Sequence, residues 1–480
     1  MPRNPSCDTG EMDTPPPGDL VELFARSTAT LVFDDGPSWP AADLAASAPA
    51  VSRWLGERGV SPGDRVAIRM GNGADYVRAL LGCADSGVVA VSVNTRYSSD
   101  EVIDLVVRSG AVLTIESGDL PPASTSSGDR SRPGRIDDPF VVLTTSGTTS
   151  KPKMVLHHQR SHVEHALDVA AAAGYRNDDV VMVAMPLCGT FGLSSLLAAI
   201  AGDTRTIVTD YDTARAAASI EHERVTCLNG SDDMFHRLLE HGTDLSSIRF
   251  GGHARFNTSL DGIVERSEAA GAQLVGLYGM SEVQALFAMR SPRGEIAERE
   301  RSGGRLSSPR AEYRIVDGEL QLRGPSLFAG YLAEGGAAVD TELTARHVVD
   351  GWFRTGDLAT ADDDRSFEYV TRMSDVLRLG GFLVSPTEIE GVLTEVDGVA
   401  AAQVVAVDRP QGTRPVAFVI ADEGVTVDEQ AAIATCRDRL AIYKVPIRVI
   451  TVAEFPTTPS ANGTKIQKTR LRDLALAALG

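Results

Sequence analysis

Basic charge is what this 480-residue sequence has too little of: 46 lysines and arginines face 65 aspartates and glutamates, for a formal net charge of −19. A surface of that sign repels phosphate backbones and anionic headgroups. No run of Lys and Arg interrupts it, so neither nucleic-acid binding nor docking on an anionic membrane is expected. Long apolar runs are missing as well. No stretch is long enough to span a bilayer, and the start, Met1 to Gly18, is polar and Pro-rich without the apolar centre of a signal peptide. Cysteine is sparse. Cys7, Cys83, Cys188, Cys227 and Cys436 are scattered, which makes neither a disulfide framework nor a zinc pattern and agrees with a reducing compartment, so a cytoplasmic protein is expected. No repeat of fixed period shows either, which sets a solenoid aside.

Of the residues that are present, 43% are hydrophobic, ample to bury the two or more domains that this length implies. Residues 1–18, with Pro15, Pro16 and Pro17, read as a disordered lead. Helical spacing over Ala42 to Glu57, an apolar strand pattern at Arg65 to Met70, a helix at Tyr76 to Ser86 and a strand at Val88 to Val93 form βαβ grammar. That grammar predicts an α/β fold with mostly parallel, helix-covered sheets. Ser117 to Asp138, rich in Ser, Pro, Gly and Asp, reads as a surface connection. His157 to Ala172 is expected to be a solvated helix. His157, His158, His162 and His165 lack the accompanying carboxylates or cysteines that a metal site would need. After Arg372 the pattern becomes that of a smaller α+β unit: a helix from Pro386, strands at Val399 to Val407 and Pro415 to Ile420, a helix at Asp428 to Leu440, and a strand at Arg448 to Val452. The expected division is 19–373 for the large N-terminal domain and 374–480 for the small, mobile C-terminal one.

The densest chemistry lies in Leu143-Thr-Thr-Ser-Gly-Thr-Thr-Ser-Lys-Pro-Lys153, where a short apolar strand meets hydroxyls, a glycine and lysines. Backbone N–H groups and hydroxyls can wrap an anion there, with Gly147 allowing close approach and Lys151 and Lys153 supplying charge. A Ser/Thr-rich turn between two strands is the plainer alternative. Downstream, Tyr278-Gly-Met-Ser-Glu282 places a hydroxyl and a carboxylate past a strand end, where ligand sites of open α/β sheets gather. A strand end with a solvated glutamate is the plainer alternative there.

These stretches resemble the adenylate-forming superfamily, which includes acyl-CoA synthetases. Ser146, Gly147, Thr148, Thr149, Lys151, Pro152 and Lys153 fit its phosphate-loop signature, with Ser150 where a second glycine is usual. Tyr278 to Glu282 is similar to its YGxTE motif, and Asp350-Gly-Trp-Phe-Arg-Thr-Gly-Asp-Leu358 to its WFxTGD segment. The resemblance implies that Thr145 and the loop residues bind nucleotide phosphates, that Ser281 touches the α-phosphate, and that Glu282, together with Thr149, holds Mg²⁺. It implies that Gly252, His253 and Ala254 flank an adenine slot faced by Tyr278 and Gly279, with His253 as a pocket wall. It also implies that Asp357 accepts the ribose hydroxyls and Arg372 reaches ribose or phosphate. Gly330 and Tyr331 are expected to be structural rather than chemical. Ser374 stands at the hinge, and Gly380, Gly381 and Phe382 resemble the segment that lines the channel for CoA. Near the C-terminus, Asn462-Gly-Thr-Lys-Ile-Gln-Lys468 resembles the segment carrying the catalytic lysine, with Thr464 inserted, so Lys465 is the expected lysine and Lys468 the fallback. Cys188, Phe191 and Leu277 are expected to wall the acyl pocket.

The implied activity is an acyl-CoA ligase that joins a mainly apolar carboxylic acid to CoA at the expense of ATP, through an acyl-adenylate. Three other readings stay open. Ser150 and Thr464 could weaken adenylation, leaving an enzyme that takes a preformed acyl-adenylate; the thiol could belong to a carrier protein; or the chain could bind nucleotide without turnover. A homodimer is left open as the assembly.

Overall fold

The computed structural model describes residues 16–34, 36–123, 135–145, 152–256, 260, 262–336, 338–373, 375–379, 382–409, 412–460 and 463–479. Ser146, Gly147, Thr148, Thr149, Ser150, Lys151, Ser374, Gly380 and Gly381 therefore lie outside the described residues, as do residues 1–15 of the expected lead. Only the backbone of Phe382 and Lys465 is described.

Strand periodicity and βαβ order build the first of three large sheets. Arg65–Arg69, Val89–Ser92, Ala111–Glu116 and Pro139–Thr144 run parallel, and Met154–His158 and Gly330–Tyr331 extend that sheet antiparallel. The second sheet pairs Thr30–Phe33, Val180–Val183, Arg205–Val208 and Cys227–Leu228 in parallel, with Trp39–Pro40 antiparallel at its edge. In the third, Gly230–Ser231, Gly251–Ala254 and Leu274–Met280 are parallel, but the path then turns antiparallel through Gln284–Met289, Gly303–Leu306, Ser366–Arg372, Trp352–Asp363, Glu319–Arg323 and Glu312–Val316. The mostly parallel expectation thus describes the first two sheets and the start of the third. Past Met280 three of these antiparallel pairs are joined by links too short for a parallel crossover, Met280 to Gln284, Val316 to Glu319 and Asp363 to Ser366, while the others join strands distant in sequence.

The helices Gln159–Ala173 and Thr190–Ala201 pack on each other and on the third sheet. That burial corrects the solvated-helix expectation: His157, His162 and His165 are 0%, 0% and 2% exposed, and His157 lies in the strand Met154–His158 instead of starting the helix. Local signals placed the helix; only the packing decided that its polar-looking face points inward.

Among the described residues, the strands from Leu377 onward pair only with one another. Val399–Val407, Arg414–Ala421 and Val449–Thr451 form a sheet covered by Pro386–Thr394, Glu429–Arg439 and Lys468–Leu479, with separate apolar cores on its two faces. The four described cysteines are free and buried. Among the described residues, no helix is long and apolar enough to cross a membrane.

Gly304 sits at φ 110°, and a Cβ there would lie 2.3 Å from the Met289 backbone, whereas Gly59, at φ 78°, has nothing within 4 Å. Gly304→Ala is expected to cost about 3 kcal/mol and Gly59→Ala only about 1 kcal/mol, because the first adds a backbone collision to the conformational strain. Urea unfolding midpoints of the two variants check this, and equal losses would contradict it.

Candidate active site

Two buried carboxylates define the site. Asp357, 2% exposed, lies in Trp352–Asp363, directly across the antiparallel register from Arg372 in Ser366–Arg372. Arg372 Nη1 stands 3.0 Å from Asp357 Oδ1 and donates to the Thr355 carbonyl, and the Tyr278 hydroxyl donates to Asp357 Oδ2 at 2.6 Å. Burial raises the carboxyl pKa of Asp357, while Arg372 and the phenol pull it back down. Oδ1 accepts no aligned hydrogen bond although it is buried, since the Arg372 contact is one of charge only. A buried oxygen in that state suits an incoming ribose hydroxyl. The Tyr278 ring packs edge-on against Phe367 at 5.2 Å and tilted on Tyr369 at 5.8 Å, so its phenol braces Asp357 from within the core.

Glu282, 4% exposed, is held by a residue the sequence marked as structural. The Tyr331 hydroxyl donates to Glu282 Oε1 at 2.8 Å, and the same ring lies 4.8 Å from the Lys153 ammonium and 5.3 Å from the His347 ring. Tyr331, expected to be structural, is thus in direct contact with the expected site residue Glu282. Burial raises the Glu282 pKa, with the Tyr331 hydrogen bond and the charges of Lys153 and Arg372 opposing it. Lys153 Nζ also contacts His347 Nε2 at 2.9 Å, and burial lowers its pKa. His347 carried no motif; only the fold brings it to Lys153.

The phosphate-loop candidate spans the hairpin between Pro139–Thr144 and Met154–His158. Its two ends are clamped: Thr145 N–H donates to the Lys153 carbonyl at 3.0 Å, and Lys153 N–H donates to Thr145 Oγ1 at 3.3 Å. Arg108 supports it from outside. That residue lies in the last turn of the helix Ser99–Ser109, which is started by a reciprocal Ser98–Glu101 capping box and closed by Gly110 at φ 63°, and its Nη2 donates to the Pro152 carbonyl at 2.9 Å.

Other expected residues are dispersed. His253 pairs in register with Gly276, whose missing side chain would point at the Arg299 and Arg301 carbonyls, whereas Gly252 faces Leu277 and Asn229. His253 is therefore on the opposite side of the sheet from Leu277, so the adenine-slot candidate and the acyl-pocket candidate take different faces of these strands. Gly279 is required for packing, since a Cβ there would lie 2.5 Å from Ala285 Cα. Cys188, Phe191 and Leu277 are buried in one apolar cluster, and Ala254 is buried too. A cleft of about 630 Å³, bordered by Ala171, Phe250, Met289, Arg290 and Arg305, includes none of the expected residues. In the C-terminal unit, Lys465 pairs in register with Thr458 in a hairpin where Thr464 faces Pro459. The fallback Lys468 is engaged by buried Glu390 at 3.3 Å.

A family model described as AMP-binding enzyme matches residues 23–332, and one described as AMP-binding enzyme C-terminal domain matches residues 388–462. The chain belongs to the AMP-binding enzymes. It is 31% identical over 479 residues, 87% of this chain and 90% of the relative, to a methyl-dioxo-octahydro-indenyl propanoyl:CoA ligase from Rhodococcus jostii (strain RHA1). It is 30% identical over 483 residues, 92% of this chain and 95% of the relative, to a feruloyl-CoA synthase from Amycolatopsis sp. O-succinylbenzoate coenzyme A synthetase from Bacillus subtilis, solved in complex with ATP and magnesium ion, superposes with a TM-score of 0.81 at 25% identity, covering 95% of this chain and 99% of that one. This AMP-binding enzyme is an AMP-forming acid–CoA ligase that uses ATP, Mg²⁺ and CoA.

Replacing Tyr331 by Phe removes the donor that favours the charged form of Glu282, so the already raised carboxyl pKa rises further. A hydrogen bond to a charged group contributes about 1.5–3 kcal/mol, or roughly one to two pH units. The acid limb of acid-dependent pyrophosphate–ATP exchange is expected to move to higher pH by about that amount in Tyr331→Phe; an unmoved limb contradicts the role.

Proposed function

We propose that Glu282, Asp357, Lys153 and Arg372 form the adenylation centre of this ligase, acting on a mainly apolar acid. One observation carries the reading: buried Asp357 holds Arg372 at 3.0 Å and the Tyr278 phenol, while buried Glu282 accepts from Tyr331, whose ring lies 4.8 Å from the Lys153 ammonium. Asp357 takes the ribose, Arg372 and Ser281 face the α-phosphate, and Lys153 with Thr145 to Thr149 holds the outer phosphates. Glu282 and Thr149 offer hard oxygens suited to Mg²⁺, which would neutralise charge on the departing pyrophosphate. The acid's carboxylate oxygen attacks the α-phosphorus, the bond to pyrophosphate breaks, and Lys465 from the small domain steadies the charge that builds. The CoA thiol then attacks the acyl carbon and AMP leaves.

The domain boundary is proposed near Ser374, because the sheets before Arg372 and after Leu377 do not share strands. Rotation there would exchange Lys465 for Gly380, Gly381 and Phe382 at the site. The acid is proposed to be ring-bearing and apolar, on the strength of the buried Cys188, Phe191 and Leu277 and of relatives whose names specify an indenyl propanoate and a ferulate.

Incubation with ATP, CoA and a panel of aryl and polycyclic acids is expected to yield AMP with at least one of them. Lys465→Ala should lower pyrophosphate–ATP exchange by about 10²–10³-fold, the range seen for lost transition-state charge stabilisation. The same variant should leave thioester formation from synthetic acyl-adenylate nearly unchanged. No AMP with any acid, or equal loss in both halves, would overturn the reading.

A further inference from the structure

The segment that carries Ser281 and Glu282 folds back on itself in a conformation that L-residues avoid. Gln284 and Leu286 have φ of 68° and 64°, and the strand pairing is irregular between Tyr278 and Met280. Bulky residues in left-handed backbone are outliers that persist only where their surroundings over-determine them.

Those surroundings are the buried histidines. His157 Nε2–H donates to the Ser281 carbonyl at 2.7 Å, and His165 Nε2–H donates to the Ala285 carbonyl at 2.7 Å. The Gln284 side-chain amide donates to the Ser161 carbonyl at 2.9 Å, and Ala285 N–H donates to Thr190 Oγ1 at 3.2 Å. His162 fills the space behind, edge-on to His157 at 5.1 Å and to Phe140 at 5.5 Å. A carbonyl acceptor requires the proton on Nε2, so each ring meets the turn as a fixed donor. Burial pushes the pKa of His157 and of His165 down to about 4, which keeps both rings neutral near physiological pH. Helix-on-sheet packing needs only apolar contact. Two imidazoles donating to the strained turn, one of them to the residue adjoining Glu282, are a costlier arrangement unless aim matters.

We propose that His157 and His165 are positioning residues of the adenylation half-reaction, holding the Ser281–Leu286 turn so that Ser281 and Glu282 stay aimed at the nucleotide. The inference rests on the roles given to Ser281 and Glu282 above. Neither histidine touches substrate; both act through the turn.

Four variants of the full chain test it. Gln places an amide N–H close to where Nε2–H stood, whereas Leu keeps the volume without a donor, so His157→Gln and His165→Gln are compared with His157→Leu and His165→Leu. Each is measured by amide hydrogen exchange over residues 278–289, by pyrophosphate–ATP exchange against Mg²⁺-ATP concentration, and by thioester formation from synthetic acyl-adenylate. The Leu variants are expected to show faster amide exchange in that segment, an apparent KM for Mg²⁺-ATP higher by about tenfold, and an unchanged second half-reaction. The Gln variants should recover most of the loss. If a Leu variant does not fold, His157→Asn and His165→Asn replace it, since the shorter amide cannot reach the carbonyl and should show the same defect. Native KM in the donorless variants, failure of Gln to rescue, or parallel loss of both half-reactions overturns the proposal. A wild-type protein that exchanges no pyrophosphate with any acid removes the assigned roles and the positioning inference together; wild-type exchange with unaffected variants removes the positioning inference alone.

Discussion

The site depends on one strand register. Asp357 and Arg372 face each other across Trp352–Asp363 and Ser366–Arg372, and side chains alternate faces along a strand. A slip of one residue would turn Asp357 away from both Arg372 and Tyr278 and leave a carboxylate buried without partners, a cost far larger than any single packing contact. Around that pair the third sheet supplies the remaining order. Tyr278 reaches Asp357 from Leu274–Met280, a strand that is not its neighbour in the sheet order, and Phe367 and Tyr369 pack on its ring. Ionisation of Asp357 thus results from a balance, with burial working against the charge and a guanidinium and a phenol working for it.

A second hub joins the first sheet to the third. Tyr331 lies at the edge of the first sheet beside Val155, yet its hydroxyl holds Glu282 and its ring lies under Lys153. The two ends of the phosphate-loop candidate are rigid because Thr145 and Lys153 bond each other and Arg108 grips Pro152.

The histidines show how misleading local polarity can be. Along the chain, His157 to His165 looked hydrophilic, and a helix with that pattern is ordinarily exposed. In the fold it is enclosed by another helix and the strand Gln284–Met289, so His157 and His165 find carbonyls and His162 packs against rings. The burial is consistent with the strained turn it supports, because left-handed Gln284 and Leu286 need fixed neighbours.

Sequence by itself determined the α/β class, the parallel cores of the first two sheets, the smaller C-terminal unit, and the motif positions that carry Ser281, Glu282, Asp357 and Arg372. These were legible because hydrophobic periodicity and short motifs are local properties. The tertiary structure alone decided that Tyr331 and His347 join the site, that His253 and Leu277 take opposite faces of a strand layer, and that Lys468 is committed to Glu390. It also decided that the third sheet turns antiparallel after Met280. The physical reason is common to all four: each depends on which residues meet across long sequence separations. Register and packing between distant strands set those meetings, and no local pattern records them.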